Sequence, residues 1–303
     1  MNPLTRMPRP LQGILYAIAA GVLLTLLNAL LRLAAERLDV HQVQCLRYAF
    51  GLVVMLPAML RDGIGAYRTA ALGLQLWRGV LHTAGLALWF SALPFVPLSD
   101  VAAIGFTTPL FIMLGAVLFL REAADARRFA AVGWGFLGVA VVALPAFQGG
   151  GGWHMLLLLA SAPLFAGSFL LAKVLTRRDS PAVIVAWQAA TVALFSLPLA
   201  LPGWVAPSAF EWLLLLGCGM IGSLGHLCLT RAYQLADISA AQPFKFLELV
   251  WASLWGFLFF AQVPGIWTFL GGAIIFAATT WIARAEATRP PPAEARRGQS
   301  RDA

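Results

Sequence analysis

The chain has 303 residues, of which 60% are hydrophobic and only 11% are charged. Soluble domains carry roughly 25% charged residues, so this chain has too few charges to cover a globular surface in water. Soluble enzymes, nucleic-acid-binding proteins and disordered proteins are therefore excluded, and the net charge of +8 needs another explanation.

Apolar stretches of about 20 residues recur along the chain. Each stretch is long enough to cross a hydrocarbon core of roughly 30 Å. Clusters of Pro, Gly and charged residues separate these stretches. The predicted spans are 11–31, 41–60, 73–95, 100–120, 129–147, 153–173, 181–201, 210–232, 237–260 and 264–284. Residues 285–303 are rich in Pro, Arg and Ala without apolar periodicity, which predicts a disordered tail.

Basic residues are distributed unevenly between the two sets of connecting segments. With the N-terminus inside, the cytoplasmic ends and tails hold most of the 21 Lys and Arg, whereas the outer connections keep only Arg32 and Arg37. Because Lys and Arg favour the cytoplasmic side, both termini are predicted to be cytoplasmic. Residues 1–10 are then a cytoplasmic segment that leads into the first span.

A weak internal repeat appears when the chain is shifted by 140 residues, which lays residues 91–93 on 231–233 and 98–99 on 238–239. Residues 11–147 and 153–284 each hold five predicted spans, and an odd number of spans inserts the two halves in opposite orientations. The sequence therefore predicts an all-α integral membrane protein with ten transmembrane helices as two inverted five-helix repeats. Such repeats are typical of secondary transporters with a midplane site.

Polar residues inside the spans identify the candidate site. Eight spans carry a polar face and are predicted to surround a central cavity, whereas spans 5 and 10 are almost wholly apolar. These two spans are predicted to lie outside as scaffold or as a homodimer contact. The predicted substrate-binding residues are Asn28, Arg47, Tyr48, Trp89, Trp187, Gln188, Lys245 and Glu248.

The charged residues of this set are the strongest indication of a site, because a charge in hydrocarbon costs at least ~2.5 kcal/mol on insertion scales. Lys245 and Glu248 lie three residues apart and could simply neutralise each other, or could hold a substrate carboxylate and amine. Arg47 could snorkel to the membrane surface. Trp187 is its counterpart under the shift, and a cation opposite an aromatic favours an organic substrate with an anionic group over a bare ion.

Other chemistry is weakly supported. His82 and His226 are candidates for proton coupling near neutral pH, although hydrogen-bonded packing is the commoner role of a membrane histidine. The four histidines show no metal-ligand spacing, and the three cysteines lie in apolar spans as packing residues. No Walker A sequence occurs, so ATP is not expected to drive the chain directly, and no cofactor is predicted.

Several loose motifs occur in an order that gives a family resemblance over the whole chain apart from its tails. They are Arg47, Thr107-Thr108-Pro109 and Arg121-Glu122 in the first half, and Arg231-Ala232-Tyr233, Gln242-Pro243-Phe244 and Leu249-Val250-Trp251-Ala252 in the second. With these motifs the chain resembles the EamA-type transporters of the drug/metabolite transporter superfamily. One departure is Gln262, which stands where the family often has a second Glu equivalent to Glu122.

The resemblance implies a gradient-driven carrier of small metabolites among the lipids of a bacterial inner membrane. The leading hypothesis is an exporter of an amino acid or an amino-acid-derived zwitterion or anion, such as a metallophore, by alternating access. The alternatives are an importer of a vitamin or nucleoside-like metabolite, such as riboflavin or S-adenosylmethionine, and an integral-membrane lipid-modifying enzyme. An enzyme is disfavoured because the acidic residues are scattered, without DxxD or HxxxxD spacing.

Overall fold

The computed structural model describes residues 9–105, 107–108, 110–112, 114, 126–148, 152–235 and 246–287. Within these ranges the chain is helical and contains no strand. The α-helices are α1 (Arg9–Ala34), α2 (Val40–Asp62), α3 (Leu72–Ala92), α4 (Leu98–Gly105), α5 (Ala126–Gln148), α6 (Gly152–Leu175), α7 (Pro181–Ala200), α8 (Ala209–Leu235), α9 (Phe246–Phe260) and α10 (Ile266–Ala287).

By length and composition, α2, α6, α7, α8 and most of α1 are able to cross a membrane. Shorter apolar stretches lie in α4, α5, α9 and α10. Each predicted span overlaps one of these helices, although parts of spans 4 and 9 fall outside the described residues. The third span was predicted to run to residue 95, but α3 ends at Ala92 and a 3-10 turn follows, because Pro94 lacks the N–H that would continue the α-helix.

Helix starts are fixed by side chains that satisfy otherwise unpaired backbone N–H groups. The Asp39 carboxylate accepts from the backbone N–H of His41 at 2.9 Å and starts α2. Ser208 and Glu211 form a reciprocal capping box at α8, in which Ser208 Oγ accepts from Glu211 N at 3.3 Å and Glu211 Oε2 accepts from Ser208 N at 2.6 Å. These caps set where each helix enters the apolar layer.

The helices of the two halves pack against each other across the middle of the molecule. Helix α1 packs on α8, α3 packs on α6, and α2 lies against both α7 and α8. Glycines permit a close crossing, since a Cβ atom on Gly219 of α8 would lie 2.7 Å from the backbone nitrogen of Gly51 on α2. The two halves thus share one interior.

Helices α5 and α10 pair mainly with each other and contribute no residue to the described cavities. A Cβ atom on Gly138 would lie 2.8 Å from the carbonyl oxygen of Gly271, so the two backbones touch where they cross. Their outer faces leave large apolar side chains exposed, including Trp134 and Trp281. A homodimer through these helices stays a prediction, because their closest contact is within the chain.

Polar contacts tie the halves together at both ends of the bundle. At one end Arg37 forms an ion pair with Glu211, and Gln42 exchanges two hydrogen bonds with the backbone of Val205 at 2.6 and 2.9 Å. At the other end Asp179 accepts hydrogen bonds from Ala70 N at 3.0 Å and Gln75 Nε2 at 2.9 Å. The space between these ties holds the candidate site.

Candidate functional site

A cavity of about 150 Å³ lies in the interior between the two tied ends. Helices α1, α2, α3, α4, α6, α8 and α9 all contribute to its wall. It brings together seven residues that the sequence predicted for substrate binding or proton coupling: Asn28, Arg47, Tyr48, His82, Trp89, His226 and Glu248. Apart from Thr108 the remaining lining is apolar, so the site joins a few polar groups to a largely hydrophobic surface, as ligand pockets usually do.

Aromatic rings form one wall of this cavity. Trp89 of α3 meets Phe165 of α6 edge to face, with ring centroids 5.7 Å apart. Phe165 and Phe169 stack one helical turn apart with an interplanar angle of 16°, and the His82 ring lies 5.3 Å from Phe165. Such rings present flat faces that favour stacking with another planar ring.

Arg47 supplies the positive charge of the cavity. Its side chain is buried, and the guanidinium carbon lies 3.8 Å from the centroid of the Tyr48 ring. It makes no hydrogen bond to the described residues, so its fork of N–H donors is available to a ligand. Gly222 makes room for it, since a Cβ atom there would lie 2.6 Å from Nη2.

His82 is held on all sides by hydrogen bonds. Its Nε2 lies 2.8 Å from Gln188 Nε2 and 2.9 Å from Tyr48 Oη, and its Nδ1 lies 3.0 Å from Ser168 Oγ. Arg78 donates to Gln188 Oε1 at 2.6 Å, which leaves the Gln188 amide nitrogen as the donor towards His82. His82 Nε2 is therefore an acceptor, which assigns the neutral Nδ1–H tautomer.

His226 faces His82 across the cavity and has a different environment. The two ring centroids are 5.5 Å apart, and the Tyr48 ring lies 6.4 Å from His226. No described residue forms a hydrogen bond with His226, although it lines the cavity. Its ring nitrogens are consequently the imidazole atoms that a bound molecule can reach.

Gln188 and Trp187 do not occupy the predicted positions in the main cavity. Gln188 lies behind His82 and lines a smaller adjoining cavity of about 10 Å³ with Arg47 and Ser223. Trp187 lines none of the described cavities, because its indole N–H donates to the carbonyl of Tyr67 at 3.0 Å and its ring packs beside Tyr67 and Met55. Trp187 therefore fastens α7 to the turn after α2.

Glu248 reaches the cavity from the first turn of α9. Its side chain lies against α1 at Gly21, where an added Cβ atom would be 3.1 Å from Glu248 Cγ. Lys245, predicted as its cationic partner, lies outside the described residues. The role of that pair stays a prediction.

Three contributors to the site were not among the predicted binding residues: Arg78, Phe165 and Phe169. Arg78 precedes His82 by one turn of α3, so the sequence places the two on the same polar face of that span. Phe165 likewise shares a face with Ser161 and Ser168 of its span, whereas Phe169 carries no such signal, since an aromatic residue in an apolar span is usually a packing residue. Both phenylalanines line the cavity because α6 packs against α3.

Known transporters are similar to this chain along most of its length. Residues 11–144 and 152–284 each match the sequence profile of the EamA-like transporter family. A riboflavin transporter of Rhizobium johnstonii is 34% identical over 93% of this chain and 94% of its own length. An S-adenosylmethionine uptake transporter of Rickettsia prowazekii is 28% identical over 91% of this chain and 94% of its own.

Two further matches extend the comparison. A pseudopaline exporter of Pseudomonas aeruginosa is 28% identical over 90% of this chain and 96% of its own. One solved crystal structure superposes with a TM-score of 0.64 at 20% identity, covering 90% of this chain and 98% of that chain, which supports the fold alone. The named relatives include both uptake and export proteins.

Proposed function

Because the chain belongs to the EamA-like transporter family, we propose that it carries a small metabolite with a planar heteroaromatic ring across the bacterial inner membrane. The single observation that carries this proposal is the cavity in which Trp89, Phe165 and the free donors of Arg47 meet. Stacking on the aromatic wall would hold the ring, and Arg47 would donate to acceptor atoms on its edge. Riboflavin is the first compound to test.

A zwitterion derived from an amino acid is the second candidate. Arg47 and Glu248 line the same cavity and carry opposite charges, which suits a carboxylate and an amine on one molecule. The ring is the better fit because aromatic side chains cover more of the wall than charged ones do.

Transport into proteoliposomes tests the proposal directly. The purified chain should accumulate labelled riboflavin when pH and potential gradients are imposed, and labelled amino acids serve as the competing class. We expect Trp89→Ala to lower riboflavin transport by about tenfold, since a stacked ring pair is worth roughly 0.5–1.5 kcal/mol beyond its buried area. Trp77→Ala is the matched control, because Trp77 lies on the same helix with 64% of its surface exposed.

The same assay gives the direction and the driving force. A carrier that uses the membrane potential gains roughly 2.3 kcal/mol for each charge moved through 100 mV, so one coupled proton suffices for useful accumulation. Absence of riboflavin transport, together with transport of an amino acid, would replace the first candidate with the second. Chemical conversion of a lipid without transport would instead support an enzyme.

We also propose that ten membrane spans form two inverted repeats, with both termini in the cytoplasm. The pairing of α1 with α8 and of α3 with α6 supports this, because a two-fold relation between the halves converts one contact into the other. The same relation maps Gly79 and Gly85 of α3 onto Gly219 and Gly225 of α8, and all four are buried. Reporter fusions at both termini should be cytoplasmic, and a fusion at Gly150 should be periplasmic.

Helices α5 and α10 are proposed as scaffold outside the transport core. Gly138→Ala places a methyl group against the backbone of Gly271, so we expect poorer assembly and a lower midpoint of thermal unfolding. Gly133→Ala is the control on the same helix, because nothing lies within 4 Å of its added Cβ atom. Substrate affinity of the correctly folded fraction should be unchanged, and altered substrate choice would contradict the division.

A further inference from the structure

A second compartment of about 50 Å³ adjoins the main cavity between α1, α3, α4 and α9. The two spaces share Asn28, Trp89, Gly105 and Glu248, so they lie side by side along these residues. A water molecule takes up about 30 Å³ in the liquid. The compartment therefore has room for a short chain fragment and not for a ring.

The polar atoms of this compartment are mostly hydrogen-bond acceptors. Thr25 donates its hydroxyl hydrogen to the Gly21 carbonyl at 2.8 Å, so its oxygen offers lone pairs to the compartment. The Glu248 carboxylate accepts only. Asn28 makes no hydrogen bond to the described residues and adds an amide oxygen together with an amide NH2 group. Such a set favours a group that carries several donors.

Arg47 lines the main cavity and not the second compartment, and its guanidinium can only donate. Thr25 lines the second compartment and not the main cavity, whereas Asn28 and Glu248 line both. A molecule that spans the two spaces therefore meets a donor at the Arg47 end and acceptors from Glu248 to Thr25. This polarity sets the orientation of an asymmetric substrate, with an acceptor-rich ring edge towards Arg47 and a donor-rich tail towards Thr25 and Glu248.

We propose that the compartment lined by Thr25, Asn28 and Glu248, which we call the tail pocket, binds a hydrogen-bond-donating tail of the substrate. The tail is an alkyl chain that bears hydroxyl or ammonium groups, and it selects among molecules that share the same ring. This inference rests on the proposed function, in which the ring occupies the main cavity.

Binding measurements with matched ligand pairs test the tail pocket. The full chain in nanodiscs is titrated with riboflavin and with lumiflavin, which keeps the flavin ring and lacks the polyol chain, and flavin fluorescence reports binding. S-adenosylmethionine and 5′-methylthioadenosine form a second pair with and without an ammonium-bearing tail, and a shift in tryptophan fluorescence reports their binding. A site that pairs with a substrate donor rejects the analogue without it, so we expect one tailed ligand to bind at least tenfold more tightly than its tailless partner.

Thr25→Val should remove that preference, because Thr25 lines the second compartment and not the main cavity. It should weaken binding of the tailed ligand by about tenfold and leave the tailless ligand within twofold, because an unpaired polar tail loses its hydrogen bonds. Thr191→Val is the control, since Thr191 donates to the Trp187 carbonyl at 2.7 Å and lines neither space. The flavin pair identifies a hydroxylated tail, and the adenosyl pair identifies an ammonium tail.

The possible failures are distinguishable. If Thr25→Val weakens tailed and tailless ligands equally, or changes neither, the tail pocket is overturned while ring binding in the main cavity stands. If neither ring binds to the unmodified chain, the proposed function fails and the inference falls with it. Unchanged thermal unfolding of Thr25→Val separates lost hydrogen bonding from lost folding.

Discussion

The α3 and α8 walls of the cavity carry facing histidines in different environments. His82 on α3 has partners at both ring nitrogens, supplied by Tyr48, Gln188 and Ser168. His226 on α8 contacts Tyr48 and His82 through its ring and forms no hydrogen bond with the described residues. One wall is therefore locked in place, and the other offers free polar atoms to a ligand.

The difference arises from what lies behind each histidine. Behind His82, Arg78 donates to both the Ile184 carbonyl at 3.1 Å and Gln188 Oε1, so a buried cation fixes the amide that in turn fixes the imidazole. On α8 the residue that corresponds to His82 under the 140-residue shift is Gly222, and Arg47 fills the space above it. A common helical framework thus supports a rigid wall and a binding wall.

Removing Gln188, which links Arg78 to His82, should have the largest effect on stability and transport. Gln188→Leu leaves a buried Arg78 donor without its partner, which costs about 1–3 kcal/mol, and removes one of the two donors to His82 Nε2. We expect the midpoint of thermal unfolding in detergent to fall by several degrees and transport to be lost. Gln234→Leu is the matched control, because it removes the same kind of Arg–Gln pair, with Arg231 at 2.6 Å, from an exposed site.

A double variant sharpens this prediction. Arg78→Leu combined with Gln188→Leu removes the orphaned cation, so it should be more stable than Gln188→Leu alone. Equal stability of Gln188→Leu and the unmodified chain would mean that α3 does not need the link, and the contrast between the two walls would be wrong.

The sequence was sufficient to predict the polar members of the cavity. Arg47 and Glu248 are costly inside apolar spans, and that cost alone identified them as candidates for a wet interior. Asn28, His82 and His226 followed from their shared helix faces. Charge and helical periodicity therefore indicate which helix faces of a membrane protein point inwards, because a charged or polar side chain that faces lipid is costly.

The sequence was insufficient to predict the role of a side chain that depends on which neighbour it contacts. Trp187 corresponds to Arg47 under the shift, but the carbonyl of Tyr67 lies within reach of its N–H and holds it at the end of the bundle. Phe165 belongs to the aromatic wall of the cavity only because α6 packs on α3 opposite Trp89. Such roles depend on helix rotation and on neighbours distant in sequence, which a repeat offset does not encode.

Displacing Arg47 from the binding wall should have an intermediate effect. Gly222→Ala puts a methyl carbon 2.6 Å from Arg47 Nη2 and 3.0 Å from Cζ, so the guanidinium must move. We expect riboflavin affinity to fall by about tenfold, in line with a lost charge-assisted hydrogen bond of roughly 1.5–3 kcal/mol, while the thermal midpoint changes little. Gly217→Ala is the control on the same helix, where nothing lies within 4 Å. Normal binding by Gly222→Ala would show that the ligand does not use Arg47.

The smallest effect, and the sharpest test of the contrast, comes from exchanging each histidine for glutamine. His226→Gln keeps a hydrogen-bonding side chain in the binding wall, so it should weaken ligand binding only a few-fold and leave the thermal midpoint unchanged. His82→Gln cannot satisfy Tyr48, Gln188 and Ser168 with the same geometry, so it should lower the midpoint by more. Both ring nitrogens of His82 already have partners, so a ligand finds its imidazole contact at His226 rather than at His82. Ligand affinity should therefore fall more in His226→Gln than in the folded fraction of His82→Gln. The reverse pattern would place the ligand contact on the locked wall and would remove the distinction between the two histidines.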